Sequence, residues 1–333
     1  MSIKPVFSTP FPDYLVIDPD APLLGKGAYG SVYGVESPNT GSLLAVKVSN
    51  NEKYEHIARE CEILKILQGA PNTVVFRAFT VVDRKIALVM KRIQYPTLWN
   101  VFFNNRKELT ADVMFNIAKQ GLRALVFYSL KDIIHGDINN NNCFYDLETG
   151  EFTICDFGLA RFSKQSKWNR SVTDYSAPEI VVDHRVGFGA DLWALGVLLF
   201  ELYTGVPMVE LFSEEEEEKR RASIFHAFYH RFGSSFLTYL GSKQKIGDFS
   251  REELKEMGRK ALPPISEELR PYFRPWSEKI LAVALEKEEF EKGEKLVALL
   301  SKIFVFENRI TAKELLDQFF SASPVQKDVG KRH

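Results

Sequence analysis

Residues 133–158 read IIHGDINNNNCFYDLETGEFTICDFG, and the fold turns on how this stretch is read. Two apolar runs, Ile133–Ile134 and Phe152–Cys155, have the length and side-chain types of short buried strands. Each is followed closely by an aspartate, Asp137 and Asp156, with Asn142 between them. Asp-Leu-Glu-Thr-Gly at 146–150 is turn chemistry joining two strands. The expectation is a hairpin that brings two carboxylates and an amide to one rim. Hard oxygen ligands on such a rim suit Mg²⁺. The aspartate that binds no metal is then suited to hold a substrate hydroxyl. A loop with scattered polar residues is the bland alternative, and the rest of the chain must decide.

Upstream, Leu23-Leu24-Gly25-Lys26-Gly27-Ala28-Tyr29-Gly30-Ser31-Val32-Tyr33 places glycines at the first, third and sixth positions of a motif. Glycine lets a backbone approach a phosphate closely, and the flanking β-formers predict strands on both sides. A dinucleotide-binding fingerprint would need a helix straight after the glycines. Here Ser31–Val35 and Pro38-Asn39-Thr40-Gly41 read as strand and turn instead. The next strand, LLAVKV at 43–48, buries a single charge, Lys47, which is costly unless it meets an anion. Tyr54–Leu67 has helical apolar spacing at Ile57, Cys61, Leu64 and Leu67. Glu60 shares the inner side of that helix and is the candidate partner for Lys47, with Glu62 its neighbour and competitor.

Val74–Phe79 and Ile86–Met90 read as two more strands, and Tyr95-Pro96 breaks the pattern. This divides the chain into a lead-in at 1–20, a strand-rich unit at 21–93, a mostly helical unit at 94–320 and an unstructured tail at 321–333. The helical unit opens with Thr110–Lys131, which has a Thr N-cap and Asp112 in its first turn. It continues through a polar, Ser-rich loop at 161–173, Tyr175-Ser176-Ala177-Pro178-Glu179 and an apolar helix near Ala190–Tyr203. Five glutamates at 214–218 read as a solvated helix start. Phe225, Phe228, Phe232, Phe236 and Tyr239 recur like core packing, and Thr311–Phe320 is a capped terminal helix.

Composition narrows the function classes. The 333 residues carry a net charge of −1, which argues against coating a nucleic acid. Cys61, Cys143 and Cys155 are odd in number and unspaced for zinc, as expected of free thiols in a reducing compartment. The N-terminus lacks an apolar signal core, and the longest apolar run, Leu192–Leu202, is too short to span a bilayer. An intracellular protein of cytoplasm or nucleus, away from membranes and monomeric, is the expectation.

Taken in order, the glycine loop, strand Lys, helix Glu, H-x-D-x-x-x-x-N loop, DFG, APE and DLWALG resemble a eukaryotic-type protein kinase from about Leu23 to Phe320. The resemblance implies an α+β, bilobal fold, with an antiparallel sheet plus one helix above a helical lobe. It also implies ATP and Mg²⁺ as cofactors and protein serine or threonine hydroxyls as substrates. By this resemblance Gly25, Gly27 and Gly30 cover the phosphates, and Lys47 binds them while paired to Glu60. Leu24, Val32 and Ala45 roof the adenine over Phe144, Met90 is the gatekeeper, and Lys91 and Ile93 supply the hinge. Asp137 becomes the catalytic base, assisted by Lys47 and Asn142, while Asn142 and Asp156 are the metal ligands. Asp191 braces the catalytic loop, and Arg309 pairs with Glu179.

The chain departs from the pattern in three places. Gly136 replaces the Arg of HRD, which in the family meets a phosphorylated loop residue, so no need for activation-loop phosphorylation is expected. Asn139 stands where serine/threonine kinases carry Lys. Val172 stands where a Thr commonly contacts the catalytic Asp, with Thr173 one place later. The HGD triplet resembles the casein-kinase-1/vaccinia-related branch and kinases of large DNA viruses, which implies a virus-encoded enzyme in a host cell. HGD-x-x-x-x-N also resembles the loop of aminoglycoside and choline phosphotransferases, but those lack a clear APE segment and an Arg309-type partner. A pseudokinase scaffold would fit the three departures but has no chemical need of Lys47, Glu60, Asp137, Asn142 and Asp156 together.

Overall fold

A computed structural model describes residues 17–18, 20–27, 29–37, 40–50, 54–165, 167–168, 171–208, 228, 231–232 and 275–321. The glutamate run, Phe225, Phe236, Tyr239 and the tail from 322 onward lie outside the described residues. So does most of the lead-in.

The strand-rich unit is one antiparallel sheet of β1 (Leu23–Lys26), β2 (Gly30–Glu36), β3 (Leu43–Ser49), β4 (Phe76–Val82) and β5 (Lys85–Lys91), in the order β1-β2-β3-β5-β4. Side chains alternate across a strand. Leu44, Val46 and Val48 therefore join Ala78, Val82, Ala87 and Val89 in a small core on one face. Ala45 and Lys47 point to the other. Register sets Lys47 beside Val32 and Ala45 beside Met90, so residues far apart in sequence share a patch. Helix α1 (Tyr54–Ile66) covers that side with Ile57, Cys61 and Leu64 at its buried positions, and the same spacing carries Glu60 inward. Gly30 is forced by packing, since a Cβ there would lie 2.2 Å from the Val48 carbonyl oxygen.

The helical unit follows with α2 (Leu98–Asn104), α3 (Ala111–Leu130), α4 (Pro178–Asp183), α5 (Phe188–Thr204), α6 (Trp276–Glu286), α7 (Phe290–Ile303) and α8 (Ala312–Phe320). Thr110 caps α3 by accepting from Val113 N, as its sequence predicts. Thr311 and Glu314 form a capping box at α8. Helix α5 is mostly apolar and buried along most of its length, packed against α3, α6 and α7. Its Trp193 touches the rings of Phe228, Phe232, Phe304 and Phe306, so the two described members of the phenylalanine series are core residues. Among the described residues no helix is long and apolar enough to cross a membrane.

The deciding hairpin differs from the expectation. Its strands are β7 (Cys143–Tyr145) and β8 (Phe152–Ile154), closed by the 146–150 turn. Ile133–Ile134 is β6 and pairs instead with β9 (Arg161–Phe162). The apolar run before Asp137 was legible, but Cys-Phe-Tyr, three residues inside a polar loop, is too short to read as a strand from periodicity.

One buried acid in α5 carries a pH prediction. Glu201 accepts from the Tyr175 hydroxyl at 2.5 Å and from Met208 N at 3.3 Å. Burial pushes its carboxyl up from 4.5 to about 7, against the pull of both donors. The folded chain thus holds a proton at Glu201 that the unfolded chain releases above pH 4.5. Its contribution to stability falls as pH rises through that window, by roughly 3 kcal/mol in all. Glu201→Gln keeps an acceptor for Tyr175 without the titration. Its denaturation midpoint should depend less on pH between about 4.5 and 7; a profile parallel to the parent's would count against the assignment.

Candidate active site

Between the sheet and the helices lies a cleft of about 660 Å³. Leu24, Gly25, Gly27, Gly30, Val32, Ala45, Lys47, Glu60, Met90, Lys91, Ile93 and Phe144 all line it, as do Asn142 and Asp156. Sequence reasoning did not single out Tyr29, Thr97, Asn100 or Asn141, which line it too. Thr97 caps α2 by accepting from Asn100 N, so the cap that starts this helix also faces the cleft.

Lys47 Nζ donates to Glu60 Oε2 and to Asp156 Oδ1, each at 2.8 Å, which selects Glu60 over Glu62. Burial opposes its charge, but the two carboxylates outweigh burial and hold the ammonium's pKa above its ordinary value. For Asp156 burial also works against charge, and Lys47 overrides it, so this carboxyl sits below its usual range. Glu60 is pushed up by burial against the pull of Lys47, and its second oxygen accepts from Phe157 N at 3.2 Å. One lysine therefore ties α1, β3 and the DFG segment together. Phe157 is fully buried, edge-on to His135 and Tyr128. Asp156 adopts φ 62, ψ 78, a left-handed conformation unusual for a residue with a side chain, and its carboxylate accepts from Gly158 N.

Asp137 is held from two sides. Asn142 Nδ2 donates to its Oδ2 at 2.8 Å, and Asn139 Nδ2 donates to its Oδ1 at 3.0 Å. Asn139 Oδ1 accepts from the backbone N–H groups of Asn141 and Asn142, which folds the loop around the carboxylate. Burial, then the charge of Asp156, pushes the Asp137 carboxyl up to about 6, against these donors. Thr173 is engaged elsewhere, its N–H donating to Ser176 Oγ at 2.8 Å, and Val172 is buried. Asn139 thus donates to the catalytic-loop carboxylate where the sequence pointed to a shifted Thr173.

The loop hangs from α5. Asp191 accepts from His135 N at 2.7 Å and from Gly136 N at 2.8 Å. Burial pushes its carboxyl up to about 6, and the two N–H groups favour the ionised form. His135 Nδ1 accepts from Asp137 N and Nε2 donates to the Cys155 carbonyl, with burial lowering the ring to about 4, so it is a neutral spacer. Arg309 grips Glu179 through two nitrogens and also donates to Gly189 O at 2.6 Å. The brace and the clamp therefore meet at the first turn of α5.

The residues fit the groups the pattern implies. A Cβ on Gly25 would meet nothing within 4 Å, and one on Gly27 only Gly30 O at 3.9 Å, so the protein's own packing leaves open space over the cleft there. Asn142 and Asp156 face the same cleft, and one carboxylate plus neutral oxygens is a donor set suited to Mg²⁺ with phosphates completing it. Among the described residues no cluster of three His, Cys, Asp or Glu forms a self-sufficient metal site. The three thiols are free and all raised in pKa, chiefly by burial, so Cys143 and Cys155 are inert neighbours of the site.

Comparison with known proteins agrees with this geometry. The chain is 30% identical over 195 residues to a CBL-interacting serine/threonine-protein kinase of Arabidopsis thaliana, covering 55% of this chain and 45% of that one. It is 31% identical over 215 residues to an Aurora kinase of Saccharomyces cerevisiae, covering 60% and 56% respectively. To a human mitogen-activated protein kinase kinase kinase it is 27% identical over 229 residues, 63% of this chain and 16% of the relative. The matched part thus spans about half the length of the first two relatives, and far less of the third. The protein kinase domain family matches residues 20–321, nearly the whole chain, and the chain therefore belongs to that family.

Proposed function

We propose that this chain transfers the γ-phosphate of ATP to serine or threonine hydroxyls of protein substrates, and that it needs no activation-loop phosphorylation to do so. The observation that carries the reading is Lys47 bridging Glu60 and Asp156 while Asp137 is held by Asn139 and Asn142. Phosphoryl transfer needs positioned groups and neutralised charge more than covalent help. Lys47 supplies fixed positive charge to the nucleotide phosphates. Leu24, Val32, Ala45 and Phe144 give the adenine an apolar slot, below Met90 and beside the Lys91–Ile93 backbone. Asn142 and Asp156 would hold Mg²⁺, which when bound neutralises phosphate charge. Asp137 orients the substrate hydroxyl and accepts its proton. Asn139 offers no cation to the phosphoryl group, and its amide serves Asp137 instead.

The name of one relative, the serine/threonine-protein kinase of Arabidopsis thaliana, supports serine and threonine as acceptors. Gly136, which cannot pair with a loop phosphate, supports phosphorylation-independence and a place near the casein-kinase-1/vaccinia-related branch. Three free thiols support a reducing, intracellular setting. A net charge of −1 supports protein rather than nucleic-acid partners. The working division is 21–93 and 94–320 for the two lobes, with the chain acting as a monomer.

A transfer assay with Mg·ATP and a mixed protein substrate tests the reading, with Lys47→Met as control and phosphatase-treated enzyme alongside. Labelled protein from parent and treated enzyme, and none from the mutant, is the expected result. Nucleotide binding without transfer would identify a scaffold. Label on choline or an aminoglycoside alone would identify a small-molecule kinase.

A further inference from the structure

Trp168 lies in the stretch that reads as a polar loop, yet only 4% of it is exposed. Its backbone N–H donates to the His184 carbonyl at 2.6 Å, and its neighbour Lys167 forms a backbone β-bridge with Arg185. The Arg161 guanidinium sits 4.6 Å over its ring, and Arg161 Nη1 donates to Lys167 O at 3.3 Å. The ring also lies against Gly136. A Cβ at that position would lie 3.4 Å from Trp168 Cζ3 and 3.5 Å from Leu159 O, and φ there is +75°. Gly136 and Trp168 are thus a matched pair. The glycine adopts a backbone conformation that disfavours side chains, and the indole occupies the space a longer side chain would enter. Trp168, Thr173, Ser176 and Ile180 line one small void together with Asp137 and Asp191.

We infer that Trp168 is a positioning residue for phosphoryl transfer, an aromatic wedge that fixes the segment after DFG against Gly136 and so holds Asp137 in place. It joins strand β9, through Arg161, to the loop that carries Asp137. An uncharged ring stacked on a guanidinium does here, without a phosphate, what an ion pair would do with one. The inference rests on the reading of the chain as a kinase that needs no loop phosphorylation.

Trp168→Ala and Trp168→Phe in the full chain test it, after phosphatase treatment and at a temperature where melting curves show both variants folded. Removing the wedge should lower kcat for protein substrate by roughly 10- to 100-fold, the scale of an ångström-sized misplacement. Nucleotide Kd should stay within about twofold, because Lys47 is positioned by Glu60 and Asp156. Trp168→Phe keeps a ring over Arg161 and should recover most of the rate. Parental kcat in Trp168→Ala would overturn the inference. So would a matching loss of nucleotide affinity, or failure of Trp168→Phe to recover. A rate that the parent itself loses on phosphatase treatment tells against the phosphorylation-free reading and shows in the parent, whereas the wedge is judged on the variants.

Discussion

Asp137→Asn will lose about 10²- to 10⁴-fold of phosphoryl transfer, the range for a positioned general base, equivalent to roughly 3–5 kcal/mol of barrier. The substitution preserves shape, and Asn142 and Asn139 remain as neighbours. It removes the carboxylate that burial and Asp156 push up to about 6 and that both asparagine amides hold in place. Lys47, Glu60 and Asp156 are unchanged, so nucleotide affinity should stay near the parent's. The loss belongs in kcat, as for an interaction made in the transition state. Full activity in this variant would sink the assignment of Asp137 as base.

Arg309→Met will cost about 3 kcal/mol of stability, the low end for removing one partner of a buried ion pair. The low end applies because the Glu179 side chain keeps 25% of its surface exposed. The arginine also donates to Gly189 O and Val305 O and stacks 5.0 Å from the Trp193 ring, so the variant strands several acceptors at once. A fall in Tm of about 6 °C is the expected scale, at roughly 2 °C per kcal/mol for a chain of this size. Arg309→Met paired with Glu179→Gln in a double-mutant cycle should show coupling. An unchanged melting curve would show that the clamp is ornamental.

The nucleotide cleft was legible because its residues obey local rules. Lys47 is a charge inside an apolar strand, Glu60 falls on the buried side of a helix, and glycines stand where the backbone must approach a ligand. All twelve residues expected around the nucleotide line one cavity. The DFG side of the site was legible for the same reason, since Phe152–Ile154 is a fully buried strand of strand-forming residues. What remained hidden depends on side-chain orientation and on contacts across long separations. Nothing in the spacing of Asn139 tells whether its amide faces solvent or Asp137. Arg161 is buried where β9 pairs with β6, and Trp168 is buried against Arg161, His184 and Gly136, long-range contacts that periodicity cannot show. The partner of β8 was misread because a three-residue strand leaves no periodic trace.

The protonated thiols have a consequence for oxidative chemistry. Peroxide attacks thiolates, and burial keeps all three cysteines in the thiol form at neutral pH. Cys155 borders the cleft beside Asp156, whose charge further discourages ionisation. The cleft therefore offers peroxide no ready thiolate, and an oxidant that reacts through thiolates has no favoured target beside Asp156.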